Sequence, residues 1–379
     1  MPSRSPRSAP VRPMRVGSVR GVPILVAPSW LLVAVLLTAV YTPVLRNAVD
    51  GLGAGAATVA ALGFAVVFAG CVLLHEVGHS LVSIALGHRV RSITLFALGG
   101  VSEIDGEPDR ARDELLISAA GPLVSVGIAA AAWGLWQLTP DYSLLGAFAA
   151  LLCWSNAVLA AFNLLPGLPL DGGRLLRAAV FGLGASRLSA TRVAAWVGRL
   201  VALAVVASAF FVERGTGGVA AAVMSVALGA YLWFGAGQAV VGASVTARLP
   251  GIDVAALLRP GLFVRADVSV AEALRQARAT GAQGLVLLDA ADRPSALVDE
   301  VLISAVPLER QAWTPVSSVA RPLTAELTVP ATIAPSELLE HIQAAPAREY
   351  LVVDGAGAPV GLLNARDFAR QLTGARGGT

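Results

Sequence analysis

Six apolar stretches, each long enough to cross roughly 30 Å of hydrocarbon, fill the first two thirds of this chain. They fall at about 23–45, 55–86, 115–138, 145–165, 190–212 and 218–242. A backbone at membrane depth must satisfy its own hydrogen bonds, so the stretches are expected to be helices. The second is over-long, which allows tilt or an extension beyond the bilayer. The first exceeds the h-region of a secretory signal and lacks a convincing small-residue cleavage site after it, so it too is read as a span.

Charge divides the 379 residues in two. Residues 1–245 carry 27 charged side chains, about 11%, whereas residues 246–379 carry 26, about 19%, which approaches a soluble domain. The expected organisation is an Arg-rich N-terminal segment (1–20), a transmembrane domain (21–245) and a water-exposed tail (250–373). The breaker Arg248-Leu249-Pro250-Gly251 marks the junction. A chain that is 56% hydrophobic, with mean hydropathy +0.71, is neither a disordered scaffold nor a purely soluble enzyme. Its net charge of +3 also excludes a basic nucleic-acid binder. Cys71 and Cys153 lie in apolar runs and read as buried free thiols.

Arginine sets the topology. Arg4, Arg7, Arg12, Arg15 and Arg20, then Arg89, Arg91, Arg110 and Arg112, then Arg174, Arg177, Arg187 and Arg192 flank the spans on one side; only Arg46 and Arg214 flank the other. The positive-inside rule puts both termini in the cytoplasm.

The second span contains His75-Glu76-Val77-Gly78-His79. Residues i and i+4 share a helix face, so both imidazoles reach one metal ion, and zinc accepts such nitrogen ligands. Glu76 projects beside the pair as an acceptor for a proton from water. Three ionisable groups in one turn of an apolar span are costly unless something binds them. The other two histidines, His88 and His341, read as ordinary polar surface residues. The fourth span runs out through Asn163-Leu164-Leu165-Pro166-Gly167-Leu168-Pro169-Leu170-Asp171-Gly172-Gly173, where two prolines end or distort the helix. Asp171 is the only acid there and is a candidate third ligand; the alternative is a solvated Asp in a helix C-terminal turn.

Together the His75-Glu76-x-x-His79 and Asn163…Asp171-Gly-Gly motifs resemble the site-2 protease family of intramembrane zinc metalloproteases, over about residues 15–240. The resemblance implies one zinc ion held by His75, His79 and Asp171, Glu76 as catalytic acid–base, and Asn163 as a helper near the reaction centre. Leu98-Gly99-Gly100-Val101-Ser102 resembles the family's short membrane-embedded strand region. There Gly99 and Gly100 would let a substrate backbone approach as an added strand; an ordinary hairpin loop reads equally well. Ala120-Gly121-Pro122 resembles a further family signature and is read as helix packing.

The tail repeats itself at an offset of 65 residues: Glu272 with Glu337, Leu274 with Leu339, Asp289 with Asp354, Pro294 with Pro359 and Leu297 with Leu362. Each unit (about 250–310 and 313–373) reads as a helix (Val270–Ala279; Pro335–Gln343), a strand (Gly284–Leu288; Tyr350–Val353), a turn and a second strand. The units resemble a tandem pair of cystathionine-β-synthase-type (CBS) modules, which implies an α/β tail behind an α-helical membrane domain. Such pairs often bind adenine nucleotides through a Gly, a hydroxyl residue and an Asp. The second unit offers Gly361, Asn364 and Asp367, the first only Ala296, Asp299 and Leu302, so at most one competent site is expected. A structural or dimerising module without nucleotide is the alternative.

The resemblance therefore implies a membrane zinc endopeptidase of a bacterial plasma membrane. It would cut single-span membrane proteins such as anti-sigma factors, without a nucleic-acid partner, and its CBS tail would regulate it or form a homo-oligomer. A CBS-regulated transporter or channel, or an inactive binding protein of the same fold, are the rival readings.

Overall fold

A computed structural model describes residues 13–97, 99–212 and 218–374. Arg4, Arg7, Arg12, Leu98 and Arg214 lie outside them. The chain forms two compact units, Met1–Ala243 and Ser244–Thr379.

The first unit opens with a strand pair, β1 (Met14–Val19) and β2 (Val22–Val26), followed by the helices α1 (Trp30–Ala48) and α2 (Ala54–Ala85). A hairpin, β3 (Val90–Phe96) and β4 (Gly99–Ile104), leads to α3 (Ala111–Leu138) and α4 (Leu144–Asn163). A short α5 (Asp171–Gly182) precedes α6 (Arg187–Val212) and α7 (Gly218–Arg248). Six of these helices, all but α5, are long and apolar enough to cross a membrane. α2 at 32 residues is about 48 Å long, well over the hydrocarbon thickness.

The first span starts later than its hydropathy suggests. Residues 22–26 are strand, and α1 begins only at Trp30. The apolar run hid this because a buried strand and a helix end have the same composition; the breakers are Gly21, Pro23 and Pro28. Nor is the Arg-rich segment merely a topogenic tail, since Met14–Val19 pairs antiparallel with β2. β2 then runs parallel to β3, and β3 antiparallel to β4, giving the order β1-β2-β3-β4 with β4 at an edge. Val22, Ile24, Val90 and Ile93 are buried against Leu73, Val77 and Ile84 of α2. The sheet thereby lies along the helix that carries the histidines.

On the other side α5 is locked to α3. Arg177 donates to Glu114 at 2.5 Å and to Glu107 at 3.2 Å, and Arg187 reaches Glu107 and the Pro108 carbonyl. Glu114 is only 1% exposed, so the pair is desolvated and its geometry is correspondingly strict. Cys71 is buried and Cys153 half-buried, both free. His88 is half-buried, and its Nε2 has no partner among the described residues.

In the second unit β5 (Leu258–Arg259) and β6 (Gly261–Arg265) precede α8 (Val270–Thr280), β7 (Gly284–Leu288), β8 (Pro294–Val298), α9 (Glu300–Ser304) and α10 (Leu308–Gln311). The second repeat has β9 (Ala320–Pro322) and β10 (Thr328–Pro330), then α11 (Pro335–Ala344), β11 (Glu349–Val353), β12 (Pro359–Asn364) and α12 (Ala365–Thr373). The sheets are β6-β7-β8-β9 and β10-β11-β12-β5, so each repeat's sheet is completed by the strand that precedes the other repeat. Equivalent residues cap equivalent helices: Asp299 accepts from Val301 N, and Asn364 from Arg366 N. His341 is half-buried, tied to the Glu326 carbonyl at 2.8 Å and set edge-on to Tyr350, rather than a free surface residue.

Candidate metal centre

One turn of α2 presents His75 and His79 on the buried face, where each ring is fixed through Nδ1. His75 Nδ1 lies 2.9 Å from Ser125 Oγ, and His79 Nδ1 lies 2.6 Å from the Ile117 carbonyl, both on α3. Holding one ring nitrogen leaves the other, Nε2, as the coordinating atom. The close fit needs Gly121: a Cβ there would overlap Nε2 of both rings. Gly121 of the Ala120-Gly121-Pro122 segment thus makes room for the imidazoles; packing between helices is only part of its role.

Asp171 arrives from a third element. The residues after α4 form a loop in which Gly172 and Gly173 lie hard against the backbone of Leu164, Leu165, Gly167 and Leu168. Side chains at those two positions would open the loop. Asp171 is the first residue of α5, not a solvated Asp at a helix end, and its side chain is 13% exposed. Its Oδ2 lies 3.1 Å from His75 Nε2 and 3.2 Å from His79 Nε2, and the two nitrogens are 3.2 Å apart. A tetrahedral ion with bonds of about 2.0–2.1 Å has ligand–ligand edges of about 3.3 Å. Two imidazoles, one carboxylate and near-equal edges therefore fit zinc, with a fourth position left for water or substrate.

Glu76 points off the same turn toward β4. Gly100 lies against it so closely that a Cβ would overlap the Glu76 side chain. Ser102 Oγ is 3.0 Å from Glu76 Oε2 and 3.1 Å from its backbone oxygen, and Ser80 donates to Ser102 at 3.1 Å. A cavity of ≈ 330 Å³ is lined by His75, Glu76 and Asp171 together with Gly99, Gly100 and Asn163, so these residues share one chamber. Its remaining walls are largely apolar, and Tyr231 of α7 contributes the other polar group. Ser125 and the Ile117 carbonyl were not legible as site residues, since a lone Ser in an apolar stretch has no distinguishing pattern; Gly121 and Ser102 fell inside segments the sequence marks, but as helix packing and as part of a strand.

In the tail, Asp367 lines an open cleft of ≈ 580 Å³ with Arg259, Arg370 and Gln283. Its carboxylate is engaged by Arg259 at 2.5 Å and by Arg370 at 3.5 Å. Gly361 does not line that cleft; it sits inside β12 where a Cβ would lie 3.0 Å from the Arg259 carbonyl.

The chain is similar to several known proteins. Residues 63–149 and 139–207 match the model of peptidase family M50. A putative zinc metalloprotease of Synechocystis is 35% identical over 190 residues, 49% of each chain. The chain thus spans about half the length of that relative. The putative zinc metalloprotease Rip3 of Mycobacterium tuberculosis is 28% identical over 94% of this chain and 92% of its own. Among solved structures, the site-2 protease of Methanocaldococcus jannaschii aligns at 28% identity and TM-score 0.42, over 60% of this chain and 95% of that one. The CBS domain of a bacterial CNNM/CorC family Mg2+ transporter aligns at 16% identity and TM-score 0.30, over 36% and 87%. The stretch that carries His75, His79 and Asp171, residues 63–207, thus matches peptidase family M50.

Proposed function

We propose that the chain is an intramembrane zinc endopeptidase that cuts single-span membrane proteins. The observation that carries this reading is the placement of Glu76 between the His75–His79–Asp171 trio and the glycine-lined edge of β4. Zinc, when bound, supplies Lewis-acid polarisation of the scissile carbonyl and acidifies a water. His75, His79 and Asp171 hold that charge in place. Glu76 takes the proton from the attacking water and returns it to the leaving amine, which keeps proton exchange inside the cavity. Asn163 donates its amide N–H to the oxygen of the tetrahedral intermediate.

Peptide bonds in a helix are shielded, so the substrate unwinds before it is cut. The open edge of β4 offers unpaired backbone groups to such an extended segment. Gly99 has φ +133°, a backbone conformation open to glycine, and Gly100 brings the strand against Glu76. Both termini are cytoplasmic by the Arg distribution, in a bacterial plasma membrane, so the released product is a cytoplasmic regulator. The tail adjusts this activity: an adenine nucleotide entering the Asp367 cleft displaces Arg259 from the carboxylate and takes it with the ribose hydroxyls.

The test is Glu76→Gln in purified full-length protein with a candidate single-span substrate. Zinc stays near one per chain while cleavage stops; cleavage at the wild-type rate removes Glu76 from the mechanism. Unchanged zinc content in Asp171→Ala undoes the ligand assignment. Calorimetry with ATP and AMP tests the tail, and no heat at millimolar nucleotide leaves it a structural module.

A further inference from the structure

Arg199 sits inside a span and has no anionic partner among the described residues. α6 has 26 residues, about 39 Å, and Arg199 lies twelve residues from its start, about 18 Å along. Wherever a 30 Å hydrocarbon layer is set on that helix, the Arg199 Cα is roughly 10 Å or more beneath the nearer face. Neither α6 nor α7 contains an Asp or Glu. The guanidinium carbon lies 4.8 Å from the Trp196 ring centroid and 5.3 Å from that of Trp233, so two indoles hold the cation from α6 and α7. Its Nε is buried with no hydrogen-bond partner among the described residues. Intramembrane arginines ordinarily pair, line a water-filled cavity or reach for the interface. This one is clamped and left with donors to spare.

Two further features surround it. Arg192 lies seven residues earlier on α6, on the same helix face, with its side chain exposed and Trp196 between the two arginines. On the other side of Arg199 an apolar groove of ≈ 290 Å³ opens between α6 and α7. Ala202, Leu203 and Val206 line it from α6, and Val226, Ala230 and Phe234 from α7. Trp233 belongs both to the groove and to the cation clamp. Gly237 stands beside the guanidinium without adding a side chain, since a Cβ there would lie 3.8 Å from Nη2.

We propose that α6 and α7 form a binding site for an anionic phospholipid, its phosphate on the Arg199 guanidinium and one acyl chain in the groove beyond. A phosphodiester matches the paired N–H donors of a guanidinium better than any neutral group in the bilayer. Basic pockets between transmembrane helices bind anionic head groups on the same principle. Arg192 draws the head group in along the helix, Trp196 and Trp233 flank it, and the groove selects a lipid over a free anion. The site is independent of the peptidase reading, and its readout is bound lipid.

Full-length protein is delipidated in detergent and offered phosphatidylglycerol or phosphatidylcholine with identical acyl chains, and retained lipid is counted by native mass spectrometry. Wild type retains phosphatidylglycerol with at least tenfold preference. Arg199→Gln abolishes the preference and Arg199→Lys keeps most of it, which separates lost charge from lost fold. Ala230→Phe, which fills the groove from an exposed position, lowers retention while Arg199 stays in place. Equal retention of the two lipids by wild type, or unchanged preference in Arg199→Gln, overturns the site. So does displacement by millimolar inorganic phosphate, or loss in Arg199→Gln of binding to an acidic single-span peptide with lipid binding intact.

Discussion

Ser102 Oγ donates to Glu76 Oε2 across 3.0 Å, from an edge strand to a helix 26 residues earlier in the chain. The hydroxyl also accepts from Ser80, which is buried on α2. The strand that is proposed to receive substrate therefore also orients the proposed proton carrier. Ser102→Ala is expected to lower kcat about tenfold, the scale of one hydrogen bond to a charged group. KM and zinc content should hardly change, and Ser102→Thr should restore most of the rate. A change confined to KM would show that Ser102 serves the substrate strand alone.

Gly121→Ala should raise local helix propensity by about 1 kcal/mol in isolation. It should nevertheless abolish metal binding, because the new methyl occupies the space of both Nε2 atoms. Zinc analysis of the folded variant, with helicity followed by circular dichroism, checks both halves. A variant that folds and still carries one zinc would refute the packing argument.

Ser125→Ala frees the His75 ring without touching a proposed ligand. Partners of this kind typically contribute 10–100-fold to metal affinity. Competition with a chelator should reveal a loss of about that size, and identical zinc retention would make Ser125 a bystander.

Arg177 and Glu114 form a desolvated pair two turns from Asp171. Removing one partner leaves a buried charge, with a cost of about 3–5 kcal/mol. Arg177→Leu and Glu114→Leu should each destabilise strongly and reduce zinc content, while the double variant recovers much of the stability. A double-mutant cycle in detergent measures the coupling, and additive effects would dismiss the pair.

How much of this was readable beforehand depended on the range of the signal. His75, Glu76 and His79 declare themselves because one helical turn fixes their relation, and Asp171 stands out as an acid against an apolar background. The 65-residue repeat gave helix and strand positions in the tail to within a residue or so. Ser125, Gly121 and the Arg199 clamp depend on which turn of one helix meets which turn of another, and the role of Ser102 on how β4 lies along α2, a register that composition does not carry. The strand at Val22–Val26 was hidden for a different reason, since it is as apolar as the span that follows it.

Glu349 in β11 gives the tail a pH dependence. Burial, with Glu300 and then Asp299 adding like charge, pushes its carboxyl up to about 7 despite the opposing Arg259 and Asn364. A carboxyl raised in the folded state holds its proton where the unfolded chain has already lost it. Stability is therefore fullest below the unfolded value of 4.5 and declines until pH passes about 7. Thermal unfolding of the tail in the full-length protein should shift downward from pH 5 to pH 7.5, and Glu349→Gln should flatten the curve. A parallel shift in that variant would assign the dependence elsewhere.

The exchanged strands of the tail bear on how such a module is inherited. β5 stands ahead of the first repeat yet closes the second repeat's sheet, and β9 does the reverse. Excising either repeat at its sequence boundary would orphan a strand and expose a bare sheet edge on the survivor. Gene fusion can thus move the pair as one cassette, whereas a single repeat has no self-sufficient form to donate. Divergence between the halves is free to proceed, as Asp299 and Asn364 illustrate, but separation is not.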